Sequence, residues 1–281
     1  MYRPFAKYLL ILFLSVTSVL KSQQFYFKNY SVESGLPFVQ VYCMYQDSKG
    51  YLWSGGYGGL SCFDGKDFIN YSPKNGLINH YVYAICEDDS GNIYAGTQEG
   101  LSVLYEKKIV RSYNTKNGLG ENIINTLCYQ KDEGVYIGTR RGLYCLNKGK
   151  FSTLKGFNGL DVKNLKSLGD VLCVGTSSGL FYYNKKNISI VKQAGLTNGN
   201  INCLSSCGSD SSLLIGTTNG FSVVKKLGDK PINFQEENGL IDENITSLYC
   251  ENTNSIWIGS GNGLLNFNGK EFSFYNIYNE N

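Results

Sequence analysis

The dipeptide Gly-Leu recurs along this sequence in two interleaved series, and no other feature limits the possible folds so sharply. One series is Gly35-Leu36, Gly76-Leu77, Gly118-Leu119, Gly159-Leu160, Gly195-Leu196 and Gly239-Leu240, spaced by 41, 42, 41, 36 and 44 residues. The second is Gly59-Leu60, Gly100-Leu101, Gly142-Leu143, Gly179-Leu180, Gly220-Phe221 and Gly263-Leu264. A repeat of roughly forty residues marks a chain built from one supersecondary unit stacked against copies of itself. Six such units begin near residues 35, 76, 118, 159, 195 and 239.

Each unit reads as four short strands. Six residues after the first Gly stands an aliphatic residue, Val41, Val82, Ile124, Leu165, Ile201 or Ile245, and two further on a small one, Cys43, Ala84, Thr126, Ser167, Cys203 or Ser247. The surrounding alternation of period two defines a strand, here strand a, whose faces meet different neighbours. A recurrent small residue suits the innermost strand, where units converge on an axis and space is scarce. Turns such as Asp47-Ser48-Lys49-Gly50 lead into strand b, which ends in Trp53-Ser54-Gly55, Tyr94-Ala95-Gly96, Tyr136-Ile137-Gly138, Cys173-Val174-Gly175, Leu214-Ile215-Gly216 and Trp257-Ile258-Gly259. The bulky first member of each triplet is expected between adjacent units. From the last Gly of the triplet to the second Gly-Leu is four residues in every unit, a fixed loop with varied contents. Strand c follows, then a hairpin turn such as Asp64-Gly65-Lys66, then an aromatic strand d.

Four strands per unit and six units predict an all-β protein, a β-propeller of six four-stranded blades. The fourth unit is shortest, with sixteen residues from Gly159 to Gly175 against about twenty elsewhere, and the count from Gly159 places the missing residues in the a–b hairpin near Leu168-Gly169-Asp170. Ahead of the first unit, Phe25 to Tyr30 resembles strand d, so the chain carries one extra N-terminal outer strand, and Phe272 to Tyr278 already supplies strand d of the last blade. This surplus implies an open array, or one that is part of a seven-bladed ring and cut from a longer chain. The 33 Gly, 22 Tyr and 15 Phe against 4 Pro agree with many strands and tight turns.

Residues 1–22 read as a secretory signal peptide: Arg3 and Lys7, the apolar run Tyr8 to Leu20, and the small Ser22. The run is thirteen residues, short of the ~20 a spanning helix needs, so cleavage leaves residues 23–281 as the propeller with no membrane span, exported to the periplasm or secreted. Cleavage removes three of the 26 basic residues and no acid, leaving 23 against 23. A neutral chain offers no nucleic-acid surface. The nine cysteines are odd in number and form no Cys-x-x-Cys, and the repeat register places them as small packing residues with structural thiols.

The residues give no catalytic machinery. His80 is the only histidine, which excludes a site with two or more His ligands, and no metal or cofactor is expected. The Gly55 to Gly59 run lacks the Gly-Lys-Ser/Thr of a phosphate loop, and the Asp88-Asp89 and Glu236-Glu237 pairs sit beside turns. A binding site, if present, belongs where b–c loops and d–a connections meet around the axis. Its candidates are Tyr57, Gln98, Glu99, Arg140 and Arg141 from b–c loops, with His80, Asn122, Asn164, Asn200 and Asn244 from just before strand a. Amides, an arginine pair and a tyrosine suit a polar small molecule or glycan fragment.

Residues 35–68 follow Gly-Leu-x4-Val-Tyr, then Asp-x-x-Gly-x-x-Trp-x-Gly, then Gly-Gly-Leu-x-x-Phe-Asp-Gly-Lys-x-Phe. This unit resembles the two-component regulator propeller repeat, and the resemblance covers residues 25–278, weakest in the fourth unit. It implies a periplasmic sensor domain that is followed in such receptors by a Tyr-rich sandwich, a membrane helix and a kinase or other output domain. Neither sandwich nor output domain is seen up to Asn281. The resemblance therefore implies a ligand-sensing module partnered by a sensor kinase or other membrane signalling protein. A secreted scaffold for protein–protein interaction is the alternative.

Overall fold

The computed structural model describes residues 28–184, 186, 189–207 and 212–275. The export signal at residues 1–22, the first half of Phe25 to Tyr30 and residues 276–278 of the last strand d lie outside the described residues.

Six antiparallel four-stranded sheets follow one another along the chain, each in the order a-b-c-d. Blade 1 holds β1 (Val41–Gln46), β2 (Leu52–Gly56), β3 (Gly59–Phe63) and β4 (Phe68–Tyr71). Blade 2 holds β5 (Val82–Glu87), β6 (Ile93–Thr97), β7 (Gly100–Tyr105) and β8 (Lys108–Tyr113). Blade 3 holds β9 (Ile124–Gln130), β10 (Gly134–Thr139), β11 (Gly142–Asn147) and β12 (Lys150–Thr153). Blade 4 holds β13 (Val162–Leu168), β14 (Val171–Thr176), β15 (Gly179–Asn184) and β16 (Ser189–Lys192). Blade 5 holds β17 (Ile201–Cys207), β18 (Ser212–Thr217), β19 (Gly220–Val224) and β20 (Ile232–Phe234). Blade 6 holds β21 (Ile245–Asn252), β22 (Ser255–Ser260), β23 (Gly263–Phe267) and β24 (Phe272–Tyr275). The blades surround a common axis with their a strands innermost, and the fold is the expected β-propeller.

The core lies between blades. Trp53, Leu60 and Tyr71 of blade 1 pack on Leu77, Val82 and Ile93 of blade 2, and four similar clusters join blades 2 to 6 in succession. Strand b supplies the filler as its sequence implied: Trp53, Tyr136, Cys173 and Leu214 are buried in these layers. Close approach explains the strand b glycine. A Cβ on Gly96 would lie 2.5 Å from Ile124 Cγ2 of the next blade, nearer than real Cβ contacts come.

The first Gly of each unit has its own cause. Pro73–Asn75 forms one 3-10 turn, and Gly76 ends it at φ 102°, a conformation that costs a glycine little. Asn75 braces this turn, its Oδ1 accepting from Ser72 N and its Nδ2 donating to Asn70 O. Asn117 repeats both bonds, and Asn238 repeats the first.

Three expectations change. In the fourth unit, Val162 pairs with Thr176 as Val82 pairs with Thr97, and Asn164 faces Gly175 as Ala84 faces Gly96. Val162 and Asn164, not Leu165 and Ser167, are therefore the aliphatic and small positions. Three of the missing residues belong to the connection before β13, which is cut short after Gly159, and only one to the hairpin. Residues 28–30 form no strand, so the described part of the extra N-terminal outer strand is not in a sheet. Cys207 and Cys250 form a disulfide linking β17 to β21, with Cα atoms 5.2 Å apart, and the other seven cysteines stand outside any disulfide. Cys207 stands twelve residues into its unit and Cys250 eleven into the next, offset positions that a strict register does not align.

Candidate functional site at the axial mouth

The b–c loops and the connections into strand a share one face, tied by backbone bonds. Gly58 N donates to His80 O at 3.0 Å across blades 1 and 2, and Gly220 N donates to Glu243 O at 2.8 Å across blades 5 and 6. Four of the six loops are shaped by the threonine closing strand b. Thr97 Oγ1 donates to Gly100 O and accepts from Glu99 N, and Thr139, Thr176 and Thr217 repeat both bonds. The backbone is thereby fixed, and Gln98, Glu99, Arg140 and Arg141 project as exposed side chains.

On blades 1 and 2 the mouth carries a continuous aromatic ladder. The Tyr57 ring lies 5.3 Å from His80 and 4.7 Å from Tyr81, with His80 and Tyr81 4.7 Å apart. Tyr81 stacks over Tyr83 at 6.3 Å, and Tyr83 meets Tyr42 at 5.6 Å. Tyr42 and Tyr83 follow the aliphatic residues Val41 and Val82, so the alternation of strand a aims them at the axis. Partial burial raises the Tyr83 phenol, Tyr42 and Tyr81 add to the rise, and the Arg140 guanidinium opposes it. Arg140 on blade 3 thus faces the ladder electrostatically. Tyr57 is 56% exposed and Tyr42 38%, leaving ring surface open to solvent.

Blades 3 to 6 present amides and one lysine instead, engaged hand to hand. Asn125 Nδ2 donates to Asp161 Oδ1 and Val162 O, Lys163 Nζ to Asn200 Oδ1 at 2.6 Å, and Asn202 Nδ2 to Asn244 Oδ1 and Ile245 O. Asn122 Oδ1 accepts from Thr115 N. Asn164 lies inside β13 rather than before it and donates to Asn202 O. These asparagines brace the frame. Arg141 Nε lies 3.7 Å from Glu121 Oε2 at the surface. Of the ten residues picked from the sequence, the geometry gathers Tyr57 and His80, and the Arg140 charge acts on the neighbouring Tyr83. The geometry adds Tyr42, Tyr81 and Tyr83, which could be found only by knowing which strand face meets the axis.

Other polar groups are spoken for. A cleft of about 660 Å³ between blades 2 and 3 opens at the a–b turns, where Tyr94 donates to Asp88 and Arg111 to Tyr113. Burial pushes the thiols of Cys43, Cys173 and Cys203 up to about 12. Thiols so raised are poor nucleophiles.

The model of one repeat family, the two-component regulator propeller, matches residues 35–58 and 76–99, the strand a to b–c loop segments of blades 1 and 2. These two segments are similar to the two-component regulator propeller repeat. The matched segments include the Tyr57 and Gln98 loops and every residue of the aromatic ladder. Solved structures share the fold. The extracellular domain of the proposed hybrid two-component system BT4673 from B. thetaiotaomicron superposes with a TM-score of 0.60 at 22% identity, over 84% of this chain and 38% of that one. That of BT3049 from the same organism gives 0.55 at 16% identity, over 86% and 46%. Virginiamycin B lyase from Staphylococcus aureus gives 0.70 at 11% identity, over 85% of each chain. The chain thus spans less than half the length of these two extracellular domains, and the same fold also serves a lyase. No curated protein sequence matches the chain. Among the described residues no helix is long and apolar enough to cross a membrane.

Proposed function

We propose that this chain is the ligand-sensing propeller module of an exported sensor, acting by binding and not by catalysis. The observation that carries the reading is the aromatic ladder of Tyr57, His80, Tyr81, Tyr83 and Tyr42 at the axial mouth, with the Arg140 charge acting on Tyr83. Exposed ring faces next to a guanidinium suit a polar small molecule or glycan fragment, with stacking on the rings and charge-assisted hydrogen bonds from the arginine. The two-component regulator propeller repeats support a role in signalling. On this reading the output belongs to a partner, a sensor kinase or other membrane signalling protein. The balanced charge after signal cleavage argues against nucleic acid as ligand.

The test is a thermal-shift and calorimetric screen of residues 23–281 against neutral and uronic-acid oligosaccharides. At least one should stabilise the protein. Tyr57→Ala and Tyr81→Ala should abolish that shift, and Arg140→Ala should remove the response to uronic acids alone. A well-folded sample that responds to no member of either class, or a response unchanged in all three variants, refutes the proposal.

A further inference from the structure

Five junctions around the axis are built alike. The aliphatic residue opening strand a of one blade rests on the strand b glycine of the blade before it. A Cβ on Gly55 would lie 2.6 Å from Val82 Cγ1, on Gly138 2.6 Å from Val162 Cγ1, on Gly175 2.7 Å from Ile201 Cγ2 and on Gly216 2.6 Å from Ile245 Cγ2, as Gly96 does with Ile124. A six-bladed ring closed on itself needs a sixth such pair, Val41 on Gly259. That pair does not form. Val41 is 40% exposed where its five counterparts are 0%, and the atoms nearest a Cβ on Gly259 are Ser247 and Thr246 of its own blade. Met44 and Tyr249, 63% and 64% exposed, extend the two bare faces. Among the described residues β21 does not pack on β1 as each other a strand packs on the next.

The outer rim carries a second mark. Phe234, at the end of strand d in blade 5, meets Phe267 at 4.8 Å and Phe272 at 6.1 Å in blade 6, both edge-on. Tyr30 makes the same two contacts on blade 1, with Phe63 at 5.0 Å and Phe68 at 5.9 Å, both edge-on. Phe63 pairs with Phe68, and Phe267 with Phe272, at the same register of the c–d ladder. Tyr30 stands five residues before Gly35, as Phe234 stands five before Gly239. Tyr30 therefore takes, against blade 1, the place of strand d of a preceding blade.

We infer that the seam between blades 6 and 1 is the seat of one further blade of this repeat, joined in line after β24, with the segment ending at Tyr30 as its strand d. The occupant supplies strands a, b and c, bringing an aliphatic residue to Gly259 and a strand b glycine to Val41. Residues 28–30 then find their ladder partner in its strand c, which is why they pair with nothing here. A second copy of the chain fits less well, because its complete blade would bring a strand d to the place Tyr30 already holds.

The chain is compared with a version extended after Asn281 by a copy of residues 76–105, which carry strands a to c of unit two. The extension should raise the unfolding midpoint by roughly 5 °C or more. Val41→Asp should leave the parent chain almost unchanged and abolish the gain in the extended one, while Val82→Asp destabilises both. Three results overturn the inference: no gain on extension, Val41→Asp as damaging to the parent as Val82→Asp, or a parent dimer in sedimentation that Val41→Asp dissolves. If the extended chain does not fold, hydrogen exchange of the parent decides. Amides of β1 and β21 should exchange faster than those of β9 and β13, and equal protection means the seam is closed.

Discussion

Among the described residues blade 6 packs on one neighbouring blade, and the Cys207–Cys250 disulfide fastens its inner strand to that neighbour. Replacing both cysteines with alanine opens a cross-link whose sequence separation is 43. Restored chain entropy in the unfolded state amounts to about 13 cal/mol/K, or about 4 kcal/mol at 25 °C. For a domain of this size that corresponds to a fall of about 8 °C in the unfolding midpoint. The loss should also be local. Among the described residues the main contacts between blades run from neighbour to neighbour, so blade 6 should loosen before the rest. Urea titration of the oxidised protein and the double variant measures the total, and hydrogen exchange of β21 to β24 against β5 to β8 measures the distribution. Thiol titration in denaturant should count seven groups without reductant and nine with it. Nine without reductant removes the premise. A change below about 1 kcal/mol, or exchange that rises equally in blades 2 and 6, refutes the reasoning.

Other positions give independent checks. Gly96→Ala forces a methyl against Ile124 and should cost about 2 kcal/mol by urea unfolding. The buried Asp47 accepts from Lys49 N, Tyr51 N and Trp53 Nε1. Asp47→Ala should therefore cost about 3 kcal/mol and shift Trp53 emission to the red, with Asp47→Asn recovering part of the loss. Stability should fall with alkali. Cys173 and Cys203 keep their protons in the fold up to about 12, whereas the unfolded chain releases them near 9.0. Their contribution is whole below pH 9 and is lost between pH 9 and about 12, at about 1.4 kcal/mol per thiol per pH unit. Cys203→Ala should flatten that slope between pH 9 and 10, and an unchanged slope would contradict the assignment.

The blades were legible because each glycine of the repeat answers a separate steric demand: a left-handed turn end at Gly76, a close blade approach at Gly96. Counting failed where the chain changes length between such anchors. Unit four, read forward from Gly159, points to Leu165, whereas counting back from the fixed strand b glycine Gly175 arrives beside Val162. The disulfide was hidden for a related reason, since its two cysteines occupy unequal positions of neighbouring units. At the mouth, Tyr57 and Arg140 could be picked out because loop residues of a constant backbone are displayed. Tyr42, Tyr81 and Tyr83 looked like ordinary alternating strand residues, and Asn122 and Asn200 looked free until their partners, Thr115 and Lys163, were placed beside them.

The seam gives the array the mechanics of a split washer. A closed ring resists a tilt at one joint through every other joint, but here five joints lie in series with a free edge on either side. A change of a degree at the blade 1–2 joint, which the tyrosine ladder bridges, is opposed by no return path and arrives undiminished as a change in gap width. On the proposed reading of the mouth, the gap would follow what binds there, and whatever closes it would set how stiffly it does so.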